Sequence, residues 1–130
     1  MMDRQKVLAF CHKNGLYFHR ISCNAIRASP TETDAHYKAK ALLGWELMKK
    51  GQTIFTEYPV FKGGKKVGEI DLLWLDELKA IEFENNYNNE SIRLKKELYG
   101  KRLDVWVIDL APWHADFDAS LKELLEKLGV

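Results

Sequence analysis

Cysteine and proline are scarce in this chain of 130 residues, two and three respectively, and its charge is almost balanced at +1. Two thiols, Cys11 and Cys23, are too few for the disulfide framework of a small secreted fold and are expected to be free. With His12 and His19 they make a loose Cys/His set whose spacing matches no standard zinc pattern. No apolar run approaches the roughly 18 residues of a membrane span. The start, residues 1–15, is charged and amphipathic, without a signal peptide's apolar stretch and cleavage site, so a cytoplasmic location without membrane partners is expected. Internal repeats, low-complexity segments and a Gly-x-Ser-x-Gly nucleophile elbow are also missing. Gly63-Gly64-Lys65-Lys66 lacks the spacing of a phosphate-binding loop and joins two strands rather than a strand and a helix. Balanced charge does not announce nucleic acid; its distribution matters more.

What is present is an apolar fraction of 46%, enough for one domain spanning the whole chain. Residues 3–14 read as a helix closed by Gly15, with Val7, Leu8 and Cys11 on one side. Residues 16–30 show no period and are compatible with a strand, a loop or a dimer arm. A capping signal at Ser29, Thr31, Thr33 and Asp34 opens a helix that runs to Lys50 and buries Ala39, Leu42, Leu43 and Leu47. Strands are expected at 53–61, 67–75, 79–84 and 103–110, with a helix over 90–101, a loop at Trp113 and His114, and a closing amphipathic helix over 116–128.

The informative residues are the acids of GEIDLLW and KAIEFEN. A tight turn at Asp76 and Glu77 pairs Asp71 with Glu82. That register puts Glu69, Asp71, Glu82 and Glu84 on one face and Ile70, Leu72, Trp74, Ile81 and Phe83 on the other. Four like charges on one sheet face repel, and acids are disfavoured inside strands. A hard cation such as Mg²⁺ relieves that repulsion, because it takes carboxylate oxygens together with waters and substrate phosphates. The competing reading is a solvated acidic face of a hairpin. Glu57 joins the cluster or leaves it according to the loop at 62–66: a two-residue turn sends it away from Asp71, and a five-residue loop sets the two side by side.

An Asp late in one strand, a Glu-x-Glu in the next and helices before and after resemble the PD-(D/E)XK, or restriction endonuclease-like, superfamily of metal-dependent nucleases. The resemblance runs from Thr33 to Leu110 in the order helix, three strands, helix, strand. It implies an α/β fold with a restriction endonuclease-like core, α-β-β-β-α-β, over 31–130 and an N-terminal helical extension over 1–30. Asp71 matches the motif's Asp, Glu82 its Glu, and Glu84 stands where most members have Lys, as in some restriction enzymes. The resemblance implies Mg²⁺ or Mn²⁺ as cofactor, Asp71, Glu82 and Glu84 as its ligands, and hydrolysis of DNA phosphodiester bonds, commonly by a homodimer. The missing cation is sought on the following helix, in Lys96, with Lys95 and Arg93 as neighbours that also reach back. Members often place a further acid on the first helix; here His36 and Glu46 are the nearest equivalents, and Glu57 and Glu69 are further secondary candidates.

Basic residues flank these acids at Lys62, Lys65 and Lys66 around the glycines and at Arg93 and Lys95 on the helix. Such an arrangement suits contacts to phosphates on either side of a scissile one. The alternative is a catalytically inactive module that keeps the fold to bind nucleic acid or a partner protein, which Glu84 in place of the motif Lys supports; the chain also resembles plasmid and phage replication or mobilisation proteins with this core.

Overall fold

A four-stranded mixed sheet, its strands side by side in chain order, carries helices on both faces. The computed structural model describes residues 2–16 and 23–130. Its elements are α1 (Arg4–Lys13), α2 (Asp34–Lys49), β1 (Ile54–Lys62), β2 (Lys65–Trp74), β3 (Lys79–Glu84), α3 (Asn89–Tyr99), β4 (Asp104–Asp109), α4 (Ala111–Ala115) and α5 (Phe117–Leu128). From α2 to β4 this is helix, three strands, helix, strand, in the expected order. The first three strands are antiparallel neighbours, and β4 lies parallel to β3 after the α3 crossover.

The caps follow from the sequence. Thr33 Oγ1 accepts the amide of His36 at 3.2 Å to open α2, Asn88 Oδ1 accepts that of Ser91 at 2.8 Å to open α3, and Asp116 caps α5. Trp113 and His114, expected in a loop, form the short α4 instead, started by Pro112 in its first turn. Trp113 is buried, and its ring stacks edge-on with Phe83 and Phe117.

Both faces of the sheet are covered. Ile54, Leu72, Trp74, Ile81 and Phe83 pack under α2 and α5, against Ala39, Leu43, Leu47, Leu124 and Leu128. Phe55, Tyr58, Ile70, Leu73, Leu75, Ala80 and Val105 pack under α1 and α3, against Val7, Cys11 and Tyr99. The expectation of one acidic and one apolar face is therefore corrected: a sheet sandwiched between helices is apolar on both sides, and its acids gather only toward one end. Ile70 also changes sides, packing opposite to Leu72 and Trp74 rather than with them.

The first 30 residues contribute to the core. Val7 and Cys11 are fully buried under the sheet, whereas Leu8, expected beside them, is half exposed. Residues 24–27 run along the outer edge of β1: Asn24 donates its amide to the Ile54 carbonyl at 2.7 Å, and Thr56 Oγ1 accepts the Arg27 amide at 2.9 Å and donates to Ala25 at 2.7 Å. This run shields a sheet edge that would otherwise be open. Residues 17–22, which include His19 of the loose Cys/His set, lie outside the described residues. Cys11 and Cys23 are free, and burial pushes the Cys11 thiol up, with Cys23 adding to it. No helix among the described residues is long and apolar enough to cross a membrane.

Candidate active site

The β2–β3 register is the expected one. Leu72 pairs with Ile81, Leu73 with Ala80 and Trp74 with Lys79, so one step further along Asp71 faces Glu82. At that step side chains replace the ladder. Asp71 donates its amide to Glu82 Oε2 at 3.1 Å, and Asp71 Oδ2 accepts the amide of Phe83 at 2.8 Å. The strands separate where the two carboxylates enter, and the carboxylates satisfy the freed amides.

Glu57 is set opposite Asp71 by a second device. A two-residue turn does join β1 and β2, with Lys62 paired to Lys65 and positive φ at Gly63 and Gly64. Alone it would turn Glu57 away, as expected for a turn of that length. A bulge between Val60 and Phe61 shifts the pairing by one, so Thr56 meets Leu72 and Tyr58 meets Ile70, with Glu57 across from Asp71 between them. Glu57 has a φ of +50°, and strict alternation ends there on both strands: Tyr58 and Ile70 fall on the α1/α3 side, where alternation from Ile54 and Leu72 would put them under α2. Asp71 consequently reaches partners on both sides of the sheet.

From α2, His36 Nε2 lies 2.9 Å from Asp71 Oδ2, close but not aligned as a hydrogen bond, and His36 Nδ1 lies 3.2 Å from Glu32 Oε2. The imidazole packs edge-on to Phe83, 6.2 Å between ring centres. Lys40, one turn further along α2, is wholly buried and bonds Glu32 Oε1 at 3.0 Å and Glu57 Oε1 at 2.7 Å. From α3, Lys95 pairs with Glu84 and approaches Glu82 Oε1 at 3.8 Å, while Ser91 Oγ donates to Glu84 at 3.4 Å.

The protonation states follow from this crowding. Burial pushes Glu82 well above the ordinary carboxylate range, and the charge and contact of Asp71 push it further. Burial would raise Asp71 as well, but its contacts with His36 and Glu82, the charge of His36 and the Phe83 amide outweigh that and hold it low. Asp71 is thus the more acidic of the pair, and Glu82 the one that holds a proton more tightly. Burial lowers His36, yet the Asp71 contact and the charges of Asp71 and Glu32 overcome it and leave the imidazole raised. Lys95 behaves likewise: burial lowers it, and Glu82 and Glu84 raise it on balance. Glu57 is raised by burial against the pull of Lys40, and Glu69 is lowered chiefly by its bond from Lys66.

Of the expected site residues, Asp71, Glu82, Glu84, Glu57 and His36 are brought together. Glu69 sits beside Glu57 at the edge, paired with Lys66. Glu46 is not part of the group: it lies ten residues beyond His36, about 15 Å along the helix at 1.5 Å per residue, and pairs with Lys49 at 2.7 Å. The cation beside the acids is Lys95 and not Lys96. Helical phase puts Lys95 on the sheet side of α3 with Ile92 and Tyr99, and turns Lys96 to solvent. Arg93 is exposed and clamped by Glu90 and Glu97 of its own helix, at 2.7 and 2.6 Å. Lys62 and Lys65 are exposed at the hairpin tip. Glu32, Lys40 and Ser91 are site residues that motif and alternation alone do not pick out.

The donor set is all hard oxygen apart from His36, and Glu82, only 1% exposed, keeps an Oε1 without a hydrogen-bond partner. That oxygen faces the Lys95 ammonium at 3.8 Å, a charge contact that offsets part of the cost of burying it. Among the described residues, no three of His, Cys, Asp and Glu have donor atoms already converged on one point as a metal cage would. Asp71 and Glu82 offer hard carboxylate oxygens, the kind that Mg²⁺ takes one or two at a time together with waters. Comparison with protein-family models, with curated proteins and with solved structures finds no match for this chain.

Proposed function

We propose that this chain is a metal-dependent DNA endonuclease built on a restriction endonuclease-like core, acting in the cytoplasm as a homodimer. The observation that carries the reading is the pairing of Asp71 with a buried Glu82 whose Oε1 makes no hydrogen bond and faces the Lys95 ammonium at 3.8 Å, at the point where β2 and β3 part. Asp71 and Glu82 would hold Mg²⁺ or Mn²⁺, which supplies a water of lowered pKa and neutralises charge developing on the phosphate.

The chain's own residues have distinct parts. Asp71 is anionic and held rigidly by the Phe83 amide, so little reorganisation is needed to bind a cation. Lys95, anchored by Glu84, provides the positive charge that the superfamily takes from a motif Lys, and its half-buried ammonium is available to a phosphate oxygen beside Glu82. Glu84 therefore positions Lys95 in this reading more than it binds metal. Lys62, Lys65 and Lys66 on the β1–β2 hairpin would hold flanking phosphates.

Calorimetry with Mn²⁺ tests the metal site directly. The wild type should bind the ion and Asp71→Ala should not; silence of the wild type at millimolar Mn²⁺ would leave the inactive binding module as the better account.

A further inference from the structure

Lys40 is the one fully buried ionisable cation among the described residues, and the nuclease reading gives it no role. Its ammonium is caged by four oxygens from three residues: Glu32 Oε1 at 3.0 Å, Glu32 Oε2 at 3.1 Å, Glu57 Oε1 at 2.7 Å and the Arg27 carbonyl. A lysine at 0% exposure is rare unless its charge is matched. Here a carboxylate pair and a carbonyl surround it as oxygen ligands surround a metal ion.

The cage abuts the acids of the candidate site in two ways. Glu32, held by Lys40 through both oxygens, is the partner of His36, which faces Asp71. Glu57, held by the same ammonium, stands across the ladder from Asp71. Without Lys40, Glu32 and Glu57 would both face the space its ammonium fills, beside His36 and Asp71, as oxygen donors of the kind a divalent ion takes. With Lys40 present, both are bonded to its ammonium, whose single charge offsets one of theirs.

We propose that Lys40 is a resident cation of this site, occupying by its tethered ammonium the place of a second metal ion, so that the protein takes one divalent ion and no more. This rests on the reading of Asp71 and Glu82 as a metal site and deepens it by fixing the ion count. Lys40 cannot touch substrate, being wholly enclosed. It is a positioning residue that keeps Glu57 and Glu32 from competing for the ion at Asp71.

The test is the number of Mn²⁺ ions bound at saturation, measured by calorimetry and by the paramagnetic resonance signal of free Mn²⁺, with circular dichroism recorded on the same samples. Wild type should bind one ion, Lys40→Met two, and the double variant Lys40→Met with Glu57→Gln one again. Two ions on the wild type, or one on a folded Lys40→Met, would overturn the proposal. If Lys40→Met is unfolded without metal, recovery of its spectrum with two ions bound supports the proposal, and failure to recover in millimolar Mn²⁺ counts against it. No binding to the wild type sinks the metal site itself and is thereby distinguished from a wrong count. A purely structural role for Lys40 predicts lost stability with no change in ion number.

Discussion

Asp71 and Glu82 are locked to each other through the backbone: the Asp71 amide donates to Glu82 Oε2 at 3.1 Å, and the next amide along from Glu82, that of Phe83, donates to Asp71 Oδ2 at 2.8 Å. The exchange fixes both carboxylates at the mouth of a parting ladder, with one oxygen of Glu82 outside any hydrogen bond and 3.8 Å from the Lys95 ammonium. Two acids held this close cannot both ionise cheaply. A proton on Glu82 is what balances them when no metal does.

Stability without metal should therefore fall as pH rises. Glu82 is raised in the folded protein above its unfolded value, so the folded state binds the extra proton between the two, and stability is lost as pH rises through the folded pKa. His36, also raised, works in the same direction and loses its contribution as pH climbs past the ordinary histidine range. Denaturant midpoints across pH 5 to 9, roughly the span in which perturbed carboxyls and histidines titrate, should decline for the wild type and less steeply in Glu82→Gln, where the His36 contribution remains. An equally steep decline in that variant would contradict the assignment.

The two lysines that adjoin on α3 should behave differently. Lys95→Met removes the charge beside Glu82 and Glu84 and should lower cleavage by about 100-fold, the usual scale for one electrostatic stabiliser. Lys96→Met, on the solvent side, should stay within about threefold. Initial rates on plasmid DNA in Mg²⁺ compare them, and equal losses would mean that α3 presents a different face.

Gly68 is required by Tyr99. A Cβ added there would lie 2.4 Å from the Tyr99 hydroxyl, which donates to the Glu69 carbonyl at 3.2 Å and ties α3 to β2. Gly68→Ala should cost about 1–3 kcal/mol, the range for overpacking, read from urea midpoints. Gly64→Ala meets no atom but sits at a positive φ of 78°, so its smaller loss should come from backbone strain alone.

Phosphate binding at the hairpin tip would show in salt dependence. Replacing Lys62 and Lys65 by Ala should reduce the slope of log affinity against log salt by about 2, one for each phosphate no longer neutralised. Binding to duplex DNA in Ca²⁺, followed by anisotropy from low to moderate salt, measures it, and an unchanged slope would remove the hairpin from the DNA surface.

The hairpin register was legible because β2 and β3 alternate cleanly up to Leu72 and Ile81 and the turn chemistry leaves little choice. Faces were less legible. Alternation predicts Ile70 beside Leu72, but Glu57 adopts a positive φ and both strands change sides there, a distortion with no glycine to announce it. The Val60/Phe61 bulge, which rescues the pairing of Glu57 with Asp71, is marked in the sequence only by Gly68, the residue that pairs with Val60. Lys40 reads as a surface lysine on an apolar helix, and only the spacing of Glu32, His36 and Lys40 by fours hints that the three share a side. Lys95 and Lys96 differ by one step of helical phase, and an end error of one or two residues in placing α3 is enough to confuse them.

Cleavage of supercoiled plasmid by wild type and Asp71→Ala, purified alike and assayed in Mg²⁺ and in Mn²⁺, tests the central claim most directly. The wild type should nick or linearise the DNA, and Asp71→Ala should lose that activity while keeping its circular dichroism spectrum. Undiminished cutting by the folded variant, or no cutting of any DNA form by the wild type in either metal, would contradict a nuclease site at Asp71 and Glu82.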